Sequence, residues 1–176
     1  MHKKIFMLID DFNATIDIWI NALQHYSFEK LLAKPDAESW SLGQVYMHII
    51  DEAKWYIGQI EICLSDNENA DGEMKEGGIK MFANNEFPDI KIKGDPVAAS
   101  QMPQPPGKEK ILNELSAIKQ RMNELWKDIS TTTFTGKTQH PGNGYFNAKE
   151  WFQHTEMHTR HHLRQKKRIE EFLSTI

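Results

Sequence analysis

The chain has 176 residues, a formal net charge of −4, 39% hydrophobic and 26% charged residues, which fits one packed globular domain and excludes a disordered or fibrous chain. The acidic balance, with no polybasic face, excludes a dedicated nucleic-acid binder, and no apolar run is long enough for a signal peptide or a membrane span. A lone cysteine, Cys63, excludes an internal disulfide, so the cytoplasm is the expected compartment and Cys63 reads as a core residue.

Four segments carry helical period. Phe6, Ile9, Phe12, Ile16, Trp19 and Leu23 form one stripe, predicting an amphipathic helix over about 3–26. Ser41-Leu-Gly-Gln44 matches a capping box, with Trp40 and Val45 placed as a hydrophobic staple, so a second helix is expected over about 42–64. Residues 66–106 break the pattern: an acidic, Gly-rich start, a short apolar patch at Ile79–Phe82, then five prolines from Pro88 to Pro106. This reads as a long loop insertion with one short helix near Met81.

A third helix is predicted at about 108–129, with Ile111, Leu115, Ile118, Met122 and Leu125 inward. Turns follow through Thr131–Gly136 and His140–Gly144. Asn147-Ala-Lys-Glu150 then opens a fourth helix reaching about Ser174, with Phe146 and Trp151 as its staple. No alternating stretch is long enough to predict a sheet. Four such helices make an all-α four-helix bundle, and the long connection between the second and third lets those two run parallel, in an up-down-down-up order. The domain is expected to span residues 1–176. The basic run Arg160–Arg168 reads as cations near the carboxyl end of the last helix, complementing its dipole.

Four of the eight histidines fall within nine residues of that helix, at 154, 158, 161 and 162. At about 100° per residue, His158 and His162 project with Trp151, Ile169 and Leu173 on the buried face, whereas His154 and His161 lie about 70–90° aside and are expected to flank it or face solvent. Imidazoles one turn apart, about 6 Å between Cα atoms, can reach one divalent ion. His48 on the second helix, pointing toward a neighbouring helix, supplies a third candidate. Glu52 projects to the apolar side of the same helix, where an unpaired carboxylate is costly. It reads as a salt-bridged group, as an acceptor orienting a ligand imidazole, or as a general base. Gln165, one turn past His162, is placed to bond a ligand or substrate.

Trp40-Ser-Leu-Gly-Gln-Val-Tyr-Met-His48, His140-Pro followed by Gly144-Tyr-Phe-Asn-Ala-Lys-Glu150-Trp151, and His158-Thr-Arg-His161-His162-Leu-Arg-Gln165 resemble the DinB-like superfamily, which includes bacillithiol transferases and mycothiol-dependent maleylpyruvate isomerase. The resemblance covers nearly the whole chain. It implies an up-down-down-up bundle holding one divalent metal through His48, His158 and His162, the trio that the helical projection selects.

Three protein ligands leave an open coordination position, the arrangement of a catalytic site. The expected function is therefore a metal-dependent transferase or hydrolase acting on a small electrophile. The ion is zinc or nickel, and the resemblance adds a low-molecular-weight thiol as co-substrate. The alternative is a non-catalytic, stress-related protein that binds a metal or small ligand. Partners are expected to be a small-molecule substrate and neither nucleic acid nor membrane, with a homodimer left open. Lys91, Lys93 and Lys108 are candidates to meet an anionic substrate. Phe82, Phe87 and Pro88 offer apolar surface to cover the site, and the segment from Pro88 to Pro106 is expected to return toward the metal end.

Overall fold

The computed structural model describes residues 2–88 and 101–176, with side chains from residue 8 onward. Among these residues six helices and one hairpin follow in chain order: α1 (His2–Leu23), α2 (Phe28–Leu32), α3 (Leu42–Cys63), α4 (Glu76–Asn84), α5 (Lys108–Thr131), β1 (Lys137–His140), β2 (Gly144–Asn147) and α6 (Ala148–Leu173). The four long helices start and stop within three residues of the sequence expectation, and two of them, α3 and α6, open on explicit signals. Ser41 accepts from the Gln44 amide while the Gln44 side chain accepts from the Ser41 amide, and Asn147 and Glu150 make the same reciprocal pair at the start of α6. Each box satisfies two amide donors that the first helical turn would leave without partners.

The directions of the helices follow from their cross-links. Thr15 and Trp19 of α1, and Tyr26 just past its end, bond to Glu156, the Thr159 carbonyl and Glu170 of α6, so these two helices run the same way. Lys54 and Glu61 of α3 pair with Glu114 and Arg121 of α5, again parallel. Asn13 and Asp17 of α1 meet Asn123 and Lys119 of α5 in reverse order, so α1 and α6 oppose α3 and α5. Between them lies a core of Phe12, Trp19, Leu42, Tyr46, Ile50, Ile60, Ile111, Met122, Trp151 and Phe152, all at most 1% exposed. Trp19 and Tyr46 meet edge to face at 5.0 Å, and both polar tips are bonded to backbone carbonyls. Burying an aromatic is then free of the penalty for an unpaired donor.

Two features depart from the sequence reading. The stretch read as turns forms an antiparallel hairpin, Lys137 opposite Asn147 and His140 opposite Gly144. Its strands have only four residues each, too short for alternation to show. The loop at 66–106 supplies part of their pairing: Lys75 donates to the Asn143 carbonyl and Tyr145 to the Glu73 carbonyl. The backbone therefore packs so closely at Gly144, where φ is +82°, that a Cβ would lie 2.5 Å from the Glu73 oxygen. Secondly, α2 is an unforeseen single turn, capped by Ser27.

The short helix expected near Met81 is α4. Beyond it, Gln104 bonds Ser41 and the Leu32 carbonyl, and the Gln44 side chain donates to the Met102 carbonyl, so residues 102–105 do lie at the amino end of α3. Lys91 and Lys93 lie outside the described residues, and Lys108 donates to the Tyr26 carbonyl at 2.5 Å. The basic run is not at the dipole end: the last turn of α6 holds no cation, and Arg160, Arg164 and Lys166 instead pair with Glu156, Glu86 and Glu170. Cys63 is buried, with its thiol against the Phe146 carbonyl, as a core residue should be. Among the described residues no helix is long and apolar enough to cross a membrane.

The caps give a direct check. Asn147→Ala removes one side of the α6 box and is expected to destabilise the protein by about 1 kcal/mol, lowering Tm by about 2–4 °C. Thermal unfolding followed by circular dichroism measures it, and an unchanged Tm would mean that packing alone positions this helix start.

Candidate metal centre

The centre is built on two facing rows of side chains, each with a spacing of four residues. On α3 the row is His48, Glu52, Tyr56; on the opposed α6 it is His162, His158, His154. His48 stands 4.7 Å from the His162 ring and 5.2 Å from the His158 ring, with Tyr56 at 4.8 Å from His154 and 5.6 Å from His158. This match follows from the antiparallel relation of the helices: the i, i+4 positions of both fall on the seam between them.

The three expected ligands come together. One nitrogen from each of His48, His158 and His162 lies within 4.8 Å of the other two, and the His158 and His162 Nε2 atoms are 3.2 Å apart. That separation is close to the edge of a tetrahedron built on metal–nitrogen bonds of about 2.0–2.1 Å, which is about 3.3 Å. Burial is the leading cause that holds all three below the usual imidazole pKa: His162 falls to about 3, His158 well down, and His48 less far because Glu52 and Asp51 oppose the shift. Neutral imidazole is the form that offers a lone pair to a cation. The donor set thus fits a divalent ion.

Around the trio, Gln165 Oε1 lies 2.9 Å from His162 Nδ1, so the Nδ1–H donates to the amide oxygen and Nε2 keeps its lone pair toward His158. Tyr56 donates to Glu52 Oε2 at 2.6 Å. Among the described residues Glu52 is accordingly hydrogen-bonded and has no ion-pair partner, and its negative charge acts on His48 and on His140. Trp40 backs His48 at 5.1 Å.

His154 overturns an expectation. It is 1% exposed, enclosed by the rings of Tyr56, Phe87, His140, Phe146 and Trp151. Residues 154–159 are all buried, because α1, α3, the hairpin and the segment after α4 wrap this part of α6 nearly all round. An angular criterion drawn from one apolar stripe fails on a helix enclosed in this way. His161, also expected to flank or face solvent, is half-buried with its ring 5.4 Å from Phe87.

His140 and Tyr56 are parts of the site that the sequence reading did not assign. His140 is brought in by the hairpin, with its Nδ1 accepting from the Gly142 and Asn143 amides at 3.0 and 3.1 Å. Phe87 lies over His154, His158 and His161, whereas Phe82 packs inward on Phe146 and Pro88 is exposed. The expected cover is therefore the single ring of Phe87. Two surface cavities, of about 560 and 520 Å³, lie elsewhere, one beside Arg121 and Phe134 and the other beside Glu73 and Tyr145.

A helical bundle with three converging histidines offers a donor set compatible with a divalent ion. The family follows from a direct match: the DinB superfamily model aligns with residues 11–165, and the chain belongs to that superfamily. Searches of curated proteins and of solved structures give no match.

Proposed function

We propose that His48, His158 and His162 hold one divalent ion, zinc or nickel, in a metal-dependent enzyme. It acts on a small electrophile, either transferring a low-molecular-weight thiol or hydrolysing the substrate. The observation that carries this reading is the convergence of three neutral imidazole nitrogens within 4.8 Å, with a bonded partner behind His162. Three protein ligands are the number typical of catalytic rather than structural zinc. When bound, such an ion lowers the pKa of a coordinated water or thiol toward neutrality.

The chain's own residues then divide the work. Gln165 fixes the tautomer of His162, and its amide NH2 is the proposed contact for substrate. Glu52, one turn from His48 and held by Tyr56, is the proposed general base for the proton released by the nucleophile. The reading places the protein in the cytoplasm, acting on a small molecule, without nucleic acid or membrane, as a monomer or homodimer. A non-catalytic, stress-related role in binding a metal or small ligand is the second reading, favoured by the Phe87 ring over His158.

The experiment is elemental analysis of untagged protein, followed by assays of thiol conjugation to 1-chloro-2,4-dinitrobenzene and of ester hydrolysis. The expected result is one ion per chain and turnover that is lost on chelation and restored by metal. Retained metal without turnover favours the second reading, and protein that binds no added zinc or nickel overturns both.

A further inference from the structure

Buried polar groups in folded proteins nearly always have partners. His154 does not: among the described residues neither ring nitrogen has a hydrogen-bond partner, although the residue is 1% exposed. A neutral imidazole always carries one N–H donor and one acceptor, so both stand ready inside an aromatic enclosure. Four walls come from packed elements: Tyr56 at 4.8 Å from α3, His140 and Phe146 at 5.0 and 5.6 Å from the hairpin, and Trp151 at 5.6 Å one turn earlier on α6.

The fifth wall is different. The Phe87 ring, 5.2 Å from His154, comes from the segment that follows α4, and that segment is tied to α6 by polar contacts near the surface. Arg160 donates to the Asn85 carbonyl at 2.6 Å, Gln153 to the Asn85 side chain at 2.8 Å, and Arg164 stands 3.7 Å from Glu86. Exposed contacts of this kind are worth little individually, and segments held by them open at lower cost than packed core. The Phe87 ring itself meets the rings of His154, His158 and His161 together, at 5.2, 5.7 and 5.4 Å.

We propose that His154 is the hydrogen-bonding anchor of an aromatic-walled subsite for a small, planar, uncharged ligand, whose ring takes the place that Phe87 occupies. Planarity follows from walls that are flat rings on every side. A charged group is excluded because entering this enclosure would strip its water with no opposite charge supplied by the five rings. The anchored group is a carbonyl, hydroxyl or amide, which the imidazole can serve as donor, acceptor or both. The inference rests on the proposed enzyme reading for the role of this ligand as substrate, since the vacated position lies against the metal ligand His158. Binding itself depends only on His154 and its walls.

The test uses benzamide as probe on the full chain, metal-free and metal-loaded, with titration followed by the saturation-transfer NMR signals of benzamide in every variant and by the ring signals of His154 where that residue is present. Benzamide is expected to bind Phe87→Ala saturably and wild type more weakly, because the native ring must leave first. Adding His154→Phe, which keeps a ring in place, is expected to weaken binding to Phe87→Ala by at least about tenfold through loss of the hydrogen bond. Benzoate and cyclohexanecarboxamide are expected to bind at least about tenfold more weakly than benzamide, for charge and for shape. No saturable binding to folded Phe87→Ala overturns the proposal, as does equal affinity with His154→Phe, with benzoate, or with wild type. Failure of the metal trio with benzamide binding intact removes the enzyme reading alone; metal binding without benzamide binding removes this inference alone.

Discussion

Replacing His158 by Ala is expected to weaken zinc affinity by more than about 100-fold, and His48→Ala and His162→Ala to do the same. The scale comes from a comparison: loss of a residue that only orients a ligand costs about 10–100-fold, and a ligand contributes the bond itself. Gln165→Ala, which frees His162 Nδ1 but leaves Nε2 in place, is accordingly expected in the 10–100-fold range. His154→Phe and His161→Ala are expected to stay near wild type. Because an ion that binds only the folded state stabilises it, by about 2.7 kcal/mol at 100 times its dissociation constant, chelation should lower the melting temperature by several degrees. The helical circular dichroism should remain, since the cores of α1, α3, α5 and α6 do not use the metal. Competition titration against a zinc-binding dye reads the affinities. Equal losses at His48 and His154 would remove the ligand assignment, and unfolding on chelation would make the ion structural.

The helices were legible because their ends and faces are encoded locally. Ser41 with Gln44, and Asn147 with Glu150, are signals four residues long, and the inward stripe of α5 is buried at every position named for it. What escaped is set by distant partners. The hairpin exists because Glu73 and Lys75, some 70 residues earlier in the chain, bond Tyr145 and Asn143, and no window on the strands themselves contains that information.

The site divides in the same way. The trio was readable because the spacing of His158 and His162 is helical and His48 occupies the corresponding seam of α3. Tyr56 sits on the same row, at the four-residue spacing from Glu52, and that regularity was the signal available for it. His154 was misplaced because its burial comes from Phe87 and from the hairpin that carries His140, both delivered by tertiary contacts. A polar residue that local pattern puts outside and the fold puts inside is a place where function competes with packing.

Acid should expose these buried imidazoles thermodynamically. His154 and His162 are pushed by burial down to about 3, and His158, His48 and His140 are lowered for the same leading reason. Between the ordinary histidine range near pH 6.5 and about pH 3, the unfolded chain therefore takes up protons that the folded chain refuses. Stability is fully present above pH 6.5 and falls as pH drops, by up to about 1.4 kcal/mol per pH unit for each imidazole that stays neutral in the fold. Protons also compete for the lone pairs of the trio, so bound metal should be released in the same window and metal-loaded protein should lose more stability than metal-free protein. Denaturant unfolding of metal-free protein at pH 7, 6 and 5 measures the slope. His154→Phe removes one such group, so the proton uptake on unfolding at pH 5 should fall by nearly one per chain. Stability that does not change from pH 7 to 5 would mean that the histidine cluster opens to water and is protonated without unfolding.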